Sequence, residues 1–144
     1  MSVDTAPIVR PSADWRTGRD EEAADVAAGR TPADEAFLAN LFPDAFLDPL
    51  EPIEAAYEAE VAAASASGSG PASYAAIYAA VEKAVTALND LNEQGEGAYI
   101  ETGERERLCE YLEQVIEARG VKVDDMGREL GFGSGELTDE WRDW

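Results

Sequence analysis

The stretch YAAIYAAVEKAVTALNDL, Tyr74 to Leu91, decides the fold class. Tyr74, Ile77, Tyr78, Val81, Val85, Leu88 and Leu91 fall at i, i+3, i+4, i+7, i+11, i+14 and i+17, one apolar stripe at helical period over about five turns. A helix of this kind must bury its stripe against other helices, and no alternating strand pattern appears elsewhere in the chain. The expected fold is therefore all-α, a small helical bundle. Gly95 and Gly97 end this helix, and a second one follows from about Thr102 to Arg119 with Leu108, Tyr111, Leu112, Val115 and Ile116 on one face and Gly120 as its left-handed stop. Two long amphipathic helices joined by a short turn are expected to pack as a central antiparallel hairpin.

Upstream, Thr31 and Pro32 suit a helix start, with Asp34 and Glu35 where the helix dipole favours anions. That helix would present Phe37, Leu38, Leu41 and Phe42 and stop near Pro43. Pro49 and Pro52 predict a corner through Phe46, Leu47 and Leu50, after which Ile53, Tyr57 and Val61 mark a further helix. Ser65 to Pro71, SASGSGP, reads as a flexible linker. Near the end, VKVDDMGREL holds one or two helical turns, GFGSG is a glycine-rich turn, and ELTDEWRDW closes the chain.

The chain carries 31 Asp and Glu against 11 Lys and Arg, no histidine, and a net charge of −20 on 144 residues. Such a body repels DNA, RNA and anionic lipid and favours basic protein surfaces. Residues 1–30 hold six acids and four arginines, a net of −2, whereas 31–144 hold 25 acids and seven bases, a net of −18. With Pro7, Pro11, Gly18 and Gly29 and few large apolar groups, 1–30 is expected to be a flexible extension with a short helix over Asp20 to Ala28, and 31–144 the acidic domain. The alternative is an arm folded back through Arg10, Arg16, Arg19 and Arg30, with Trp15 as anchor.

The opening MSVDTAPIVRPSADW has no basic run followed by an apolar one, and no stretch approaches about 18 consecutive apolar residues. Cys109 has no partner for an internal disulfide. The expectation is a cytoplasmic protein without a membrane span.

Without histidine, Ser-His-Asp and Cys-His catalysis and imidazole zinc sites are impossible. Cys109, beside Leu108, reads as a small buried hydrophobe. All-α nucleotide pyrophosphohydrolases hold magnesium on E-x-x-E and E-x-x-D pairs, whose i, i+3 spacing puts two carboxylates on one helical face. Glu110 with Glu113 and Glu136 with Asp139 have that spacing, but the chain has nineteen glutamates and no lysine nearby to hold a phosphate. GFGSG follows no strand, so it is a turn and not a phosphate cradle. Asp124 and Asp125 lack the alternating ligands of a calcium loop and suit helix capping. No cofactor and no metal site is expected.

Glu106, Glu110, Glu113 and Glu117 recur at four, three and four residues and line one outer helix face, with almost no lysine to neutralise them. Helical rise spaces these charges roughly 5 to 6 Å apart along the axis, sparser than the one per about 1.7 Å of duplex DNA. Mimicry of a nucleic acid would need another acidic face, such as Glu51, Glu54 and Glu58, alongside. Trp141 and Trp144 at i, i+3 form a second candidate contact, or dock on the chain's own core. These six residues, four glutamates and two tryptophans, are the candidate partner-binding set. Against them stands composition: nine Arg to two Lys and abundant Ala fit a high-GC or salt-adapted source, where acidity serves solubility.

FLANLFPDAF from Phe37, IYAAVEKAVTALNDL from Ile77, YIETGERERLCEYLEQVIEARG from Tyr99 and the acidic WRDW ending resemble the bacterial domain of unknown function 5713 family. Ile100, Glu101 and Thr102 match its I-E-T helix start, Asn89 an asparagine in the preceding helix, and Arg142 to Trp144 its R-D-W end, covering about Thr31 to Trp144. Gly103 and GFGSG depart from the pattern. The resemblance implies a helical fold and no activity. The resulting expectation is a non-catalytic protein that neutralises a basic protein partner, of immunity, antitoxin or nucleic-acid-mimic type; the alternatives are a carboxylate-metal nucleotide hydrolase and a salt-adapted housekeeping domain.

Overall fold

Pro71 to Gln94 form the longest helix of the computed structural model, which describes residues 8–66, 68 and 70–144. In chain order the elements are α1 (Pro11–Ala27), a 3-10 turn (Ala33–Glu35), α2 (Leu38–Leu41), α3 (Asp44–Ser65), α4 (Pro71–Gln94), α5 (Thr102–Glu117) and α6 (Val123–Leu130). Among the described residues there is no strand, and no helix is long and apolar enough to cross a membrane.

α4 buries the expected stripe of Ile77, Val81, Val85, Leu88 and Leu91, with Tyr74 and Tyr78 at its edge. The central hairpin is present, but α4 forms it with α3, its preceding neighbour, and not with α5. Tyr57 and Val61 of α3 pack with Ile77, Val81, Ala84 and Val85 of α4 in one core, and Glu60 and Lys83 bridge the two helices at 2.6 Å. α5 instead lays Tyr111, Leu112, Val115 and Ile116 into the core shared by α3, α4 and α6. Ser67 and Ser69 of the expected linker lie outside the described residues.

α3 runs straight through the corner expected at Pro49 and Pro52. Each proline costs a helix roughly 3 kcal/mol. Phe46, Leu47 and Leu50 are fully buried on the same turns, each contributing roughly 1.5–3 kcal/mol. Trp15 and Tyr99 add to this by stacking on Phe46 with centroids 5.7 and 5.0 Å away. Conversely, the helix expected from Thr31 breaks into the 3-10 turn and the single turn α2, and Phe37 stays exposed.

The segment expected to be a loose extension contains α1, which packs against α2, α3 and α5. Trp15 lies flat on Phe42 at 5.1 Å, and Ser12 is buried. Composition points the other way because α1 has almost no apolar stripe: it is fastened by polar groups. Residues 1–7 lie outside the described residues.

α6 takes two turns and stops at Gly131, whose φ of 91° is the left-handed conformation that glycine adopts without strain. The tail beyond it folds back, burying Leu137 and Thr138.

Candidate functional site

α5 begins with a reciprocal capping box, in which the Glu101 N–H donates to the Glu104 carboxylate at 3.1 Å. Glu101 is thus a capping residue, and the ion pair with Arg105 that its spacing suggests does not form. From this start, 3.6 residues per turn put Leu108, Tyr111, Leu112, Val115 and Ile116 inward and carry Glu106, Glu110 and Glu117 into solvent, with Glu113 half-buried between them. The four glutamates line an open groove of about 410 Å³ together with Cys109 and Gln114 of the same helix and Gly135 of the C-terminal tail. Gln114 donates to Glu110 at 3.1 Å. Among the described residues no ion pair reaches any of the four.

Glu113 is the member of the set whose charge its surroundings disfavour. Burial raises its carboxyl above the ordinary range, and the charges of Glu117 and Asp124 raise it further. Asp124 stands in the first turn of α6, so the anionic face extends past α5 onto a residue that spacing alone assigns to helix capping.

The other acids suggested for a second face are elsewhere. Glu54 is enclosed, at 2 % exposure, and accepts hydrogen bonds from the Ser12 N–H at 3.0 Å and the Ser12 hydroxyl. Glu58 is chelated by Arg10 at 2.9 and 3.2 Å and takes the Tyr111 hydroxyl at 2.5 Å. Its carboxyl falls below the ordinary range because these bonds outweigh its desolvation. Glu51 stands 4.0 Å from Arg16. The α5 face therefore stands alone, too sparse to imitate a duplex.

Trp141 and Trp144 are both half-buried in the chain's own packing. Trp141 tilts onto Tyr78 with centroids 4.5 Å apart, and Trp144 touches both halves of the core with its indole N–H enclosed. Asn89 fastens them: its amide donates to the Trp141 carbonyl at 2.8 Å and its oxygen accepts the Asp143 N–H at 3.2 Å. Tyr78, partly desolvated and donating to Glu140 at 3.1 Å, has its hydroxyl pushed up to about 12.

Cys109 is half-buried rather than enclosed. Arg142 donates to its Sγ at 3.4 Å while also pairing with Asp139 at 3.4 Å and lying 5.5 Å over the Trp144 ring. Of the spacing pairs for a metal, Glu136 is bonded to the Gly133 N–H at 3.0 Å and Asp139 is held by Arg142. Among the described residues no group of three or more carboxylate or cysteine side chains is placed to hold a metal ion.

Glu54, read from sequence as part of an outer acidic face, is instead the buried anchor of the N-terminal segment. Its signal was present: Leu50, Glu54, Tyr57 and Val61 recur at four, three and four residues, so a glutamate occupies a position of the buried stripe. No family model, no curated protein and no solved structure matches this chain.

Proposed function

We propose that this protein is a non-catalytic binder of a basic protein surface, acting through Glu106, Glu110, Glu113 and Glu117 on α5. One observation carries the reading: four carboxylates line one groove and none of them forms an ion pair among the described residues, although Arg10, Arg16 and Arg19 of the N-terminal segment all pair with acids of α3. Uncompensated like charge at this spacing weakens a helix by about 0.2–0.5 kcal/mol per pair, a cost that a complementary cationic surface removes on binding. Charge of this kind steers encounter and sets salt dependence more than it sets affinity. Trp141 and Trp144 are better assigned to closing the fold than to the partner. Immunity proteins and antitoxins are the types of protein this chemistry suits.

The likeness to the domain of unknown function 5713 family is likewise a proposal, resting on the sequence motifs alone. Asn89 and the Arg142–Trp144 ending, two of the matching motifs, hydrogen-bond to each other, and Ile100 to Thr102 open α5. These motifs hold the fold and carry no chemistry of their own.

The test is capture from lysate by the wild-type protein and by a variant with all four glutamates changed to glutamine, at rising salt. A basic partner retained by the wild type, lost from the variant and released at a few hundred millimolar salt supports the reading. Equal capture by both proteins, or none by either, overturns it.

A further inference from the structure

α1 and α3 meet along a polar seam. On α3, Asp44, Asp48, Glu51, Glu54 and Glu58 recur at four, three, three and four residues and so share one face. The N-terminal segment meets that face in reverse order. Arg19 donates to Asp44 at 2.7 Å, Arg16 to Asp48 at 3.0 Å, the Ser12 N–H to Glu54 at 3.0 Å, and Arg10 grips Glu58 at 2.9 Å. From the far side, Arg107 of α5 reaches the Val9 carbonyl at 2.8 Å and Asp14 at 2.9 Å. The apolar share is small: α1 buries only Pro11 and Ser12, and Trp15 is its one aromatic contact. A helix with few buried apolar contacts and exposed ion pairs opens at lower free energy than the core it lies on. Its link to the body turns at Gly29, at φ 76°, and crosses residues 28–37, of which none is buried.

We propose that α1 is an autoinhibitory strap: with its own arginines it occupies an anionic face of α3 which, once vacated, takes an arginine-bearing helix of a basic partner. The proposal rests on the reading of the protein as a binder of basic proteins and adds a second, regulated surface to the open one on α5. Complementarity is already realised in the chain itself, since Arg10, Arg16 and Arg19, although set in a segment with more acids than bases, meet the acids of the face in antiparallel register. Release also bares Phe42 and Phe46, which lie beneath Trp15, giving the incoming helix an apolar anchor.

Amide hydrogen exchange on the full chain tests the strap. At about 1 M salt, where screening extends only about 3 Å, residues 11–27 are expected to exchange at least about tenfold faster than at low salt while 71–94 stays protected. Protection of 11–27 equal to that of 71–94 at both salt concentrations overturns the proposal. The binding half uses a synthetic peptide of residues 8–30 as probe against the full-length wild type and the Arg16→Ala/Arg19→Ala variant. Binding to the variant and not to the wild type is expected. Equal binding to both, or none to a variant whose 11–27 segment exchanges fast, overturns it. Glutamine changes on α5 leave this seam untouched, so failure of the α5 reading and failure of the strap are read separately.

Discussion

The Glu54 carboxylate accepts the Ser12 backbone N–H at 3.0 Å, joining residues forty-two positions apart at a site with 2 % exposure. A buried carboxylate thus fastens the most polar helix of the fold to its core. Facing it are Ser12 and Arg10 from the N-terminal segment, Glu58 on its own helix and Tyr111 from α5. Burial raises the Glu54 carboxyl above its ordinary range. The Ser12 bonds and Arg10 lower it by less, and Glu58 raises it.

Glu54→Gln separates the hydrogen bonds from the charge. Because the folded-state value lies above the unfolded one, the contribution of Glu54 is full below the ordinary glutamate range and is lost as pH rises through the folded value. Glutamine keeps an acceptor for the Ser12 N–H and a donor for its hydroxyl. In urea denaturation at several pH values, the variant is expected to be at least as stable as the wild type at pH 7 and to lack this loss. Glu54→Ala, which leaves a cavity and an orphaned N–H, is expected to lose about 2–4 kcal/mol. An unchanged pH slope in the glutamine variant contradicts the assignment.

The two core tyrosines should rank by the charge of their acceptors. Tyr111 donates to the Glu58 carboxylate at 2.5 Å, whereas Tyr57 donates to the Leu112 carbonyl at 2.6 Å. Burial, before any neighbour, lifts both hydroxyls above the ordinary tyrosine range. Tyr111→Phe is expected to cost about 1.5–3 kcal/mol and Tyr57→Phe about 0.5–1.5 kcal/mol. Chemical denaturation checks the order, and a larger loss at Tyr57 refutes it.

Asn89→Ala removes two of the hydrogen bonds that hold the C-terminal tail, those to the Trp141 carbonyl and the Asp143 N–H. A loss of about 1–2 kcal/mol is expected, with a red shift of tryptophan emission as Trp141 and Trp144 gain water. Unchanged emission would show that Leu137 and Thr138 suffice to dock the tail.

α4 and α5 were legible because each carries an apolar stripe at helical period, and that stripe is what the core buries. α1 was legible only in part: a helix over its second half and, as the alternative reading, an arm held by Arg10, Arg16, Arg19 and Trp15 were in the sequence. A periodicity search finds no stripe in a helix fastened mainly by polar groups, and Arg30 pairs with Asp25 instead of the body. Pro49 and Pro52 misled because their local cost is visible in sequence, while the burial of Phe46 that offsets it depends on Trp15 and Tyr99 from distant segments. The acidic face of α5 was legible in register, and Asp124 joins it only through the packing of α6.

Within α6, Gly127 has no room for a side chain: a Cβ would stand 2.5 Å from the Phe132 carbonyl oxygen. That carbonyl is backbone and cannot swing aside. Gly127→Ala is expected to lose about 1–3 kcal/mol in thermal or urea unfolding, despite alanine's better helix propensity. A stabilised variant would place the turn at Gly131 elsewhere.

If the α5 carboxylates are surplus to the fold, neutralising them should not weaken it. Glu113 gives the sharpest reading because burial, Glu117 and Asp124 all disfavour its charge, so its contribution to stability is lost as pH rises through its folded value. Glu113→Gln is therefore expected to raise stability at pH 7 by a few tenths of a kcal/mol, about the size of one like-charge pair on a helix. Added salt screens the Glu117 and Asp124 share of that gain and leaves the burial share. A drop in stability would mean that Glu113 is held by a contact within the fold, and the α5 face would then lose the half-buried member that joins its exposed glutamates.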